Sequence, residues 1–231
     1  MIAFAVCIGA REAFERYARP GLVNHTEPDS PLAEIDTDSI FAGYNEALDA
    51  FAPCPDLEAL VLLHEDVALQ DSEFCAKVRK RLADRSVAVI GAIGARRVRN
   101  LCWWEGEIHG RVGETRGLID HGGGCHEVEA VDGLLMVISP WAVRNLRFDA
   151  DRFHGFHGYD VDFCLQARAR GRRVIVDDLL LFHHARPRVR DGVDFWQADA
   201  TLRRKWAGLG LDMAGDEEMA SRARSFAVAD R

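Results

Sequence analysis

The chain has 231 residues, of which 48% are apolar and 29% charged; Lys and Arg total 29 against 37 Asp and Glu, a net charge of −8. This composition excludes wholesale disorder and argues against a nucleic-acid binder that works through a basic face. The length suffices for one large domain, or one domain with a small appendage, around a sizeable core.

The apolar runs, such as 59–63 and 179–182, fall far short of the roughly 20 residues needed to span a bilayer. The opening MIAFAVCIGAREAF lacks a basic n-region and runs straight into charge, so it does not read as a signal peptide. Six cysteines are scattered at positions 7, 54, 75, 102, 125 and 164 with no CxxC pair. The expectation is reduced thiols in a cytoplasmic protein.

Ile2 to Ile8 reads as a first buried strand. Arg11 to Ala18 reads as a helix stopped by Pro20-Gly21, and 24–38 as a loop with one short strand. Ser39 to Phe51 is an amphipathic helix with Ile40, Tyr44, Ala47 and Leu48 at helical spacing and Ser39 as its cap. Leu57 to Leu63 and Val87 to Ile93 are strands apolar enough to be buried on both faces, with a helix over 72–84 between them. This alternation predicts an α/β layered fold.

Residues 94–127 break the rhythm and read as a long loop, a kind of segment that is usually functional or disordered. Its glycines suit a mobile lid over 96–127. Strand character returns over 128–139, a short helix over 142–147 and a strong helix over 160–170 stopped by Gly171. Val174 to Phe182 reads as one last strand delivering His183-His184, followed by an amphipathic helix from Phe195.

Three constellations carry possible chemistry. His64-Glu65-Asp66 ends a buried strand, where open α/β sheets bind ligands, and its oxygens suit Mg²⁺ or Mn²⁺. Asp160 and Asp162 head a helix, as dipole-complementing residues or as a general base. His183 and His184 end a strand and point to opposite faces, so one of the two can serve a metal; His183 is preferred and His184 is the alternative. His121, Cys125 and His126 lack a fourth zinc ligand. Trp103-Trp104 suit either stacking on a sugar or packing.

Together these segments resemble glycosyltransferases of the GT-A fold, in a bacterial family-two-like group. SIFAGYNEALDA, Ser39 to Ala50, is similar to the helix that follows the family's nucleotide loop. LEALVLLHEDV resembles the strand ending in the family's DxD motif, with His64 in place of the first carboxylate and Asp66 at the main metal position. VDGLLMVISPWAV, Val131 to Val143, resembles the acceptor-side strand, and FHGYDVDFCLQARARGRRVIV the base-bearing helix, with Tyr159 where the family often has Glu. LLLFHHA resembles the segment whose histidine closes the metal site.

The resemblance implies a GT-A-like domain over 1–190 with a mixed, mainly parallel sheet, and a C-terminal helical extension over 191–231. It implies a nucleotide-sugar donor touching Tyr44, Asn45, Glu65 and Asp66, and a divalent ion (Mn²⁺ or Mg²⁺) on Asp66 and His183. Asp160 is then the base. Asp132, Gly133, Trp103, Trp104 and Asp162 fall on the substrate side, Asp162 with a mainly structural part. The expected reaction moves a sugar to an acceptor hydroxyl with inversion. A metal-dependent phosphohydrolase and a non-catalytic nucleotide- or carbohydrate-binding protein are the alternatives.

Overall fold

A computed structural model describes residues 1–184 and 192–207. Its strands in chain order are β1 (Ile2–Cys7), β2 (Leu32–Ile35), β3 (Ala59–His64), β4 (Val67–Leu69), β5 (Val87–Gly91), β6 (Ile93–Arg96), β7 (Glu107–Glu114), β8 (Gly117–Asp120), β9 (His126–Val128), β10 (Ala130–Val131), β11 (Leu135–Ile138), β12 (Arg173–Val176) and β13 (Leu181–His183). The α-helices are α1 (Arg11–Ala13), α2 (Arg19–His25), α3 (Ile40–Phe51), α4 (Phe74–Leu82), α5 (Pro140–Asn145), α6 (Tyr159–Ala169) and α7 (Val193–Trp206).

The central sheet has the order β2-β1-β3-β11-β5-β12-β9. β2, β1 and β3 are parallel, β11 runs against β3 and β5, β12 is parallel to β5, and β9 runs against β12. Five strands therefore share one direction, and the sheet is mixed and mainly parallel as expected. Every residue of β3 and β5 is buried, so both faces of these strands are covered. That is why their sequences are near-continuous apolar runs. α3 packs on β1 and β3, α5 on β3 and β5, and α6 on β5 and β12. Ser39 caps α3 by accepting from the Ala42 N–H.

Strands of a second sheet, of order β10-β6-β7-β13-β4 with β8 on β7, run through the segment expected as a long loop over 94–127. Gly94, Gly106 and Gly110 sit where a side chain would strike backbone: a Cβ on Gly110, at φ +97°, would lie 2.1 Å from the Ala92 carbonyl oxygen. These glycines permit close strand approach, where the sequence suggested hinges.

Four further expectations are corrected. The first helical run does not stop at Pro20. It passes through a π-helical turn at Phe14–Ala18 and continues to His25, with Pro20 directly after that turn. Gly21 lets this helix lie against β4, since a Cβ there would be 2.6 Å from the Leu69 nitrogen. Val87–Ile93 is interrupted at Ala92, where the chain passes from the first sheet to the second. The expected strand character over 128–139 is broken by a turn at Asp132-Gly133, whose Asp132 Oδ1 accepts from the Leu134 N–H.

The expected strand over 174–182 is likewise two strands in different sheets. The crossover at 177–180 is pinned from below. Asp177 pairs with Arg81, while the buried Asp71 accepts from Lys77 Nζ and the Leu180 N–H, and Lys77 also donates to the Asp178 carbonyl. Paired carboxylates at both ends stop the chain from continuing straight.

Helix α7 docks on the domain through polar contacts. Asp162 of α6 accepts from the Trp206 indole N–H at 2.8 Å, Lys205 Nζ at 2.9 Å and Gln166 Nε2 at 2.8 Å. Asp199 of α7 accepts from the Leu101 N–H and from Arg203. The expected division at residue 190 falls before α7, which packs on α6, and 208–231 of the expected extension lie outside the described residues. Asp162 is 1% exposed. Asp162→Ala should lower the unfolding free energy by about 2 kcal/mol, because the buried Trp206 indole N–H loses its acceptor and Lys205 is left with Asp149. Urea denaturation of the parent and variant checks this.

Candidate metal and catalytic site

The carboxyl edge of the central sheet gathers the ends of β1 and β3 with the turn that leads into β11. β3 delivers His64, and β4 begins immediately after Asp66. Antiparallel pairing of β4 with β13 sets His183 opposite Val67, and the His184 N–H donates to the Asp66 carbonyl at 2.8 Å. Two residues 117 apart in sequence thereby share one corner: His183 Nε2 lies 3.5 Å from Asp66 Oδ1.

His64 joins them. One ligand atom from each of His64, Asp66 and His183 lies within 4.8 Å of the others. His64 is 8% and Asp66 3% exposed. Two imidazoles and a carboxylate this close and this buried have the chemistry of a divalent-ion site. On the far side of His183, Nδ1 meets Glu114 Oε1 at 3.3 Å; parallel pairing of β13 with β7 sets these two residues opposite each other. Burial alone lowers the His183 pKa, but the carboxylates of Asp66, Asp132 and Glu114 outweigh it and the net shift is upward. His184 points away and stacks on Tyr17 at 3.8 Å.

Sequence reasoning treated His64 only as a departure from an acidic motif. It did not single out Glu114, because β7 was read as loop; the only local signal was the spacing of Ile108, Gly110 and Val112, two of which are buried.

Asp160 stands at the first turn of α6, entered through Gly158 in the left-handed conformation at φ +89°. Its Oδ2 accepts from the Gly133 N–H at 3.0 Å and its Oδ1 from the Val161 N–H at 2.8 Å. Burial, then the neighbouring Asp132 carboxylate, pushes its pKa up to about 7 against the pull of those N–H groups. Asp132 bears electrostatically on both Asp160 and His183, so the turn at 132–133 joins the base candidate to the imidazoles. Gly133 has no room for a side chain: a Cβ would lie 2.0 Å from the Tyr159 hydroxyl.

Other sequence candidates are placed differently. Tyr44 is 0% exposed, packed among Phe148 and Tyr159, because the helical face that carries it is the core face of α3. Asn45 is engaged at both ends with the backbone of Phe148, tying α3 to the segment after α5. Glu65 accepts from the Gly9 and Ala10 N–H groups and so braces the loop after β1. Asp162 is turned to α7, as the rotation of about 200° over two helical residues requires. Trp103 is 7% exposed, whereas Trp104 is 38% exposed and lies 6.2 Å from Phe195 of α7. Burial, followed by Glu46 and Glu65, pushes the Cys7 thiol up to about 12.

Comparisons with known proteins agree with this architecture. The fold is that of GT-A glycosyltransferases. GalNAc-T7, solved with UDP, GalNAc and Mn²⁺, matches at a TM-score of 0.61 and 9% identity, over 89% of this chain and 48% of that one. The mannosyltransferase PcManGT from Pyrobaculum calidifontis, in complex with GDP-Man and Mn²⁺, matches at 0.53 and 13% identity, over 99% and 79%. A197 from STIV matches at 0.54 and 17% identity, over 80% and 85%. In sequence, the streptomycin biosynthesis protein StrF of Streptomyces griseus is 35% identical over 202 residues, 85% of this chain and 71% of the relative. The model of the glycosyltransferase-like family matches residues 32–194, and the chain belongs to that family. It is a glycosyltransferase. No helix of the described residues is long and apolar enough to cross a membrane.

The raised pKa of Asp160 has a sign that can be checked. Between the unfolded carboxylate value near 4 and the folded value of about 7, the native state holds a proton that the unfolded chain has released. Stability therefore falls as pH rises through that window. In chelator, the thermal midpoint of the parent should drop relative to Asp160→Asn between pH 5 and pH 8. Parallel pH profiles for the two would contradict the assignment.

Proposed function

We propose that the protein moves a sugar from a nucleoside-diphosphate sugar to an acceptor hydroxyl with inversion, using a divalent ion held at the His64, Asp66 and His183 cluster. The observation that supports this is the meeting of that cluster with Asp160 across the Asp132-Gly133 turn. The structures of GalNAc-T7 and PcManGT hold Mn²⁺ with a nucleotide or nucleotide sugar, which supports the same use of this edge. The ion, when bound, supplies Lewis-acid stabilisation for the diphosphate leaving group.

The chain's own groups do the rest. Asp66 and His183 hold the corner in place through the β4–β13 pairing. Asp160 takes the proton of the acceptor hydroxyl, and its pKa of about 7 gives it enough basicity for that transfer while leaving a useful ionised fraction near neutral pH. The Gly133 N–H steers one oxygen of Asp160 and leaves the carboxylate fixed in the crevice. Glu65 keeps the loop after β1, which borders the same edge, in one conformation. Trp104, exposed beside α7, offers a face for a sugar ring. A net charge of −8 fits a small anionic donor rather than a nucleic acid, and a cytoplasmic setting with reduced thiols fits the six free cysteines.

Incubating the protein with a panel of nucleotide sugars, an acceptor panel and Mn²⁺, with detection of released nucleoside diphosphate and glycosylated product, tests the reading. Asp160→Asn should lower transfer by roughly 10²- to 10⁴-fold, the usual contribution of a positioned base, with nucleotide binding near the parent value. Orthophosphate as the product would indicate a hydrolase instead, and binding without turnover a non-catalytic protein.

A further inference from the structure

His64 and Tyr159 are the two positions at which this chain departs from the acidic pattern around its candidate site, and in the fold they touch. His64 Nε2 lies 2.5 Å from the Tyr159 hydroxyl oxygen, although 95 residues separate them. Tyr159 is 3% exposed and its ring is locked edge-on against Phe41 and Tyr44. Gly133 clears the space for the hydroxyl, since any Cβ at 133 would lie 2.0 Å from it. The phenol therefore has one place to be, and that place is against Nε2 of His64.

An imidazole has two nitrogens. Nε2 is engaged by Tyr159, so a bond from His64 to an ion in the cluster with Asp66 and His183 would fall to Nδ1. His183 shows the same division from the other side: Nδ1 is engaged by Glu114, and Nε2 lies 3.5 Å from Asp66. Metal-binding histidines are commonly fixed in this way, the far N–H donating to an outer partner so that the near nitrogen keeps its lone pair.

We propose that Tyr159 is a positioning residue that holds His64 as the Nε2–H tautomer, and that the resulting centre of two imidazoles and one carboxylate takes divalent transition ions and discriminates against Mg²⁺. The hydroxyl oxygen of Tyr159 accepts a hydrogen bond from Nε2–H, and the lone pair of Nδ1 is directed to the ion. Mg²⁺ prefers oxygen ligands and gives up its waters reluctantly. Nitrogen donors favour the transition series instead, with affinity rising from Mn²⁺ to Co²⁺. This rests on the metal-site reading given under the proposed function and extends it to the identity of the ion and to the residue that sets it.

The experiment is done on the full chain without donor or acceptor, so it is independent of whether sugar is transferred. Isothermal titration of the metal-free protein should give Co²⁺ tighter than Mn²⁺, and Mn²⁺ at least about tenfold tighter than Mg²⁺. Tyr159→Phe, which keeps the ring and removes the hydroxyl, should weaken Mn²⁺ by about 10- to 100-fold. Combining it with His64→Ala should add little to the loss caused by His64→Ala alone, because the phenol acts through that imidazole. Electron spin echo modulation of bound Mn²⁺ should show two coordinated imidazole nitrogens in the parent and one in His64→Ala.

Should Tyr159→Phe fail to fold, ¹⁵N chemical shifts of His64 in the parent decide the tautomer: a protonated Nε2 supports the proposal and a protonated Nδ1 overturns it. Parent-like Mn²⁺ affinity in folded Tyr159→Phe would remove Tyr159 from its role while leaving the metal site. Equal affinity for Mg²⁺ and Mn²⁺ would overturn the discrimination. No binding of any of the three ions would overturn this proposal and the metal-dependent reading together.

Discussion

The pairing of β4 with β13 is the contact on which the site depends. It is short, three residues on each side, and it lies outside the main sheet. Yet it converts two unrelated strand ends into one corner, because β4 follows Asp66 directly and β13 ends at His183. The register does the positioning: a slip of one residue would turn His183 away and bring His184 round, since successive strand side chains alternate. The stack of His184 on Tyr17 and the bond from its N–H to the Asp66 carbonyl both oppose that slip. The parallel pairing of β13 with β7 adds a third constraint by setting Glu114 beside His183.

Around that corner the fold accumulates negative charge. Asp66, Asp132 and Asp160 converge at the sheet edge, and Glu114 stands behind His183. Such a group is costly to bury unless its charges are compensated. Some compensation is built in, as backbone N–H groups donating to Asp160 and Asp132. The remainder appears as a raised Asp160 pKa and an upward-shifted His183. Both shifts fit the cation site proposed here, and perturbed groups in a crevice are a recurrent mark of function.

Much of the fold was legible in the sequence because buried strands in a mainly parallel sheet must be apolar on both faces. Leu57 to Leu63 and Val87 to Ile93 announced themselves in that way, and Ser39 marked the start of its helix through capping chemistry. The second sheet was not legible: its strands are short, glycine-bearing and partly exposed, and they owe their form to pairing partners distant in the chain. For the same reason Val174 to Phe182 read as one strand, since nothing local shows that Asp177 pairs with Arg81 and Asp71 with Lys77. Asp66, His183 and Asp160 were legible as candidates because they end or begin elements. Tyr44 and Asn45 were drawn toward the donor by resemblance, whereas helical periodicity alone already placed Tyr44 on the buried face. His64 was seen as a loss of a carboxylate, and only the tertiary contact with Tyr159 gives it a different meaning.

The central claim is that strand pairing unites Asp66, His183 and His64 around one divalent ion. Anomalous diffraction at the manganese edge, from crystals grown or soaked in Mn²⁺, tests it most directly. The account predicts a peak bonded to Asp66, to His183 Nε2 and to His64, at distances of roughly 2.0–2.3 Å. A well-occupied Mn²⁺ elsewhere on the chain, with this corner lacking an anomalous peak, would contradict it.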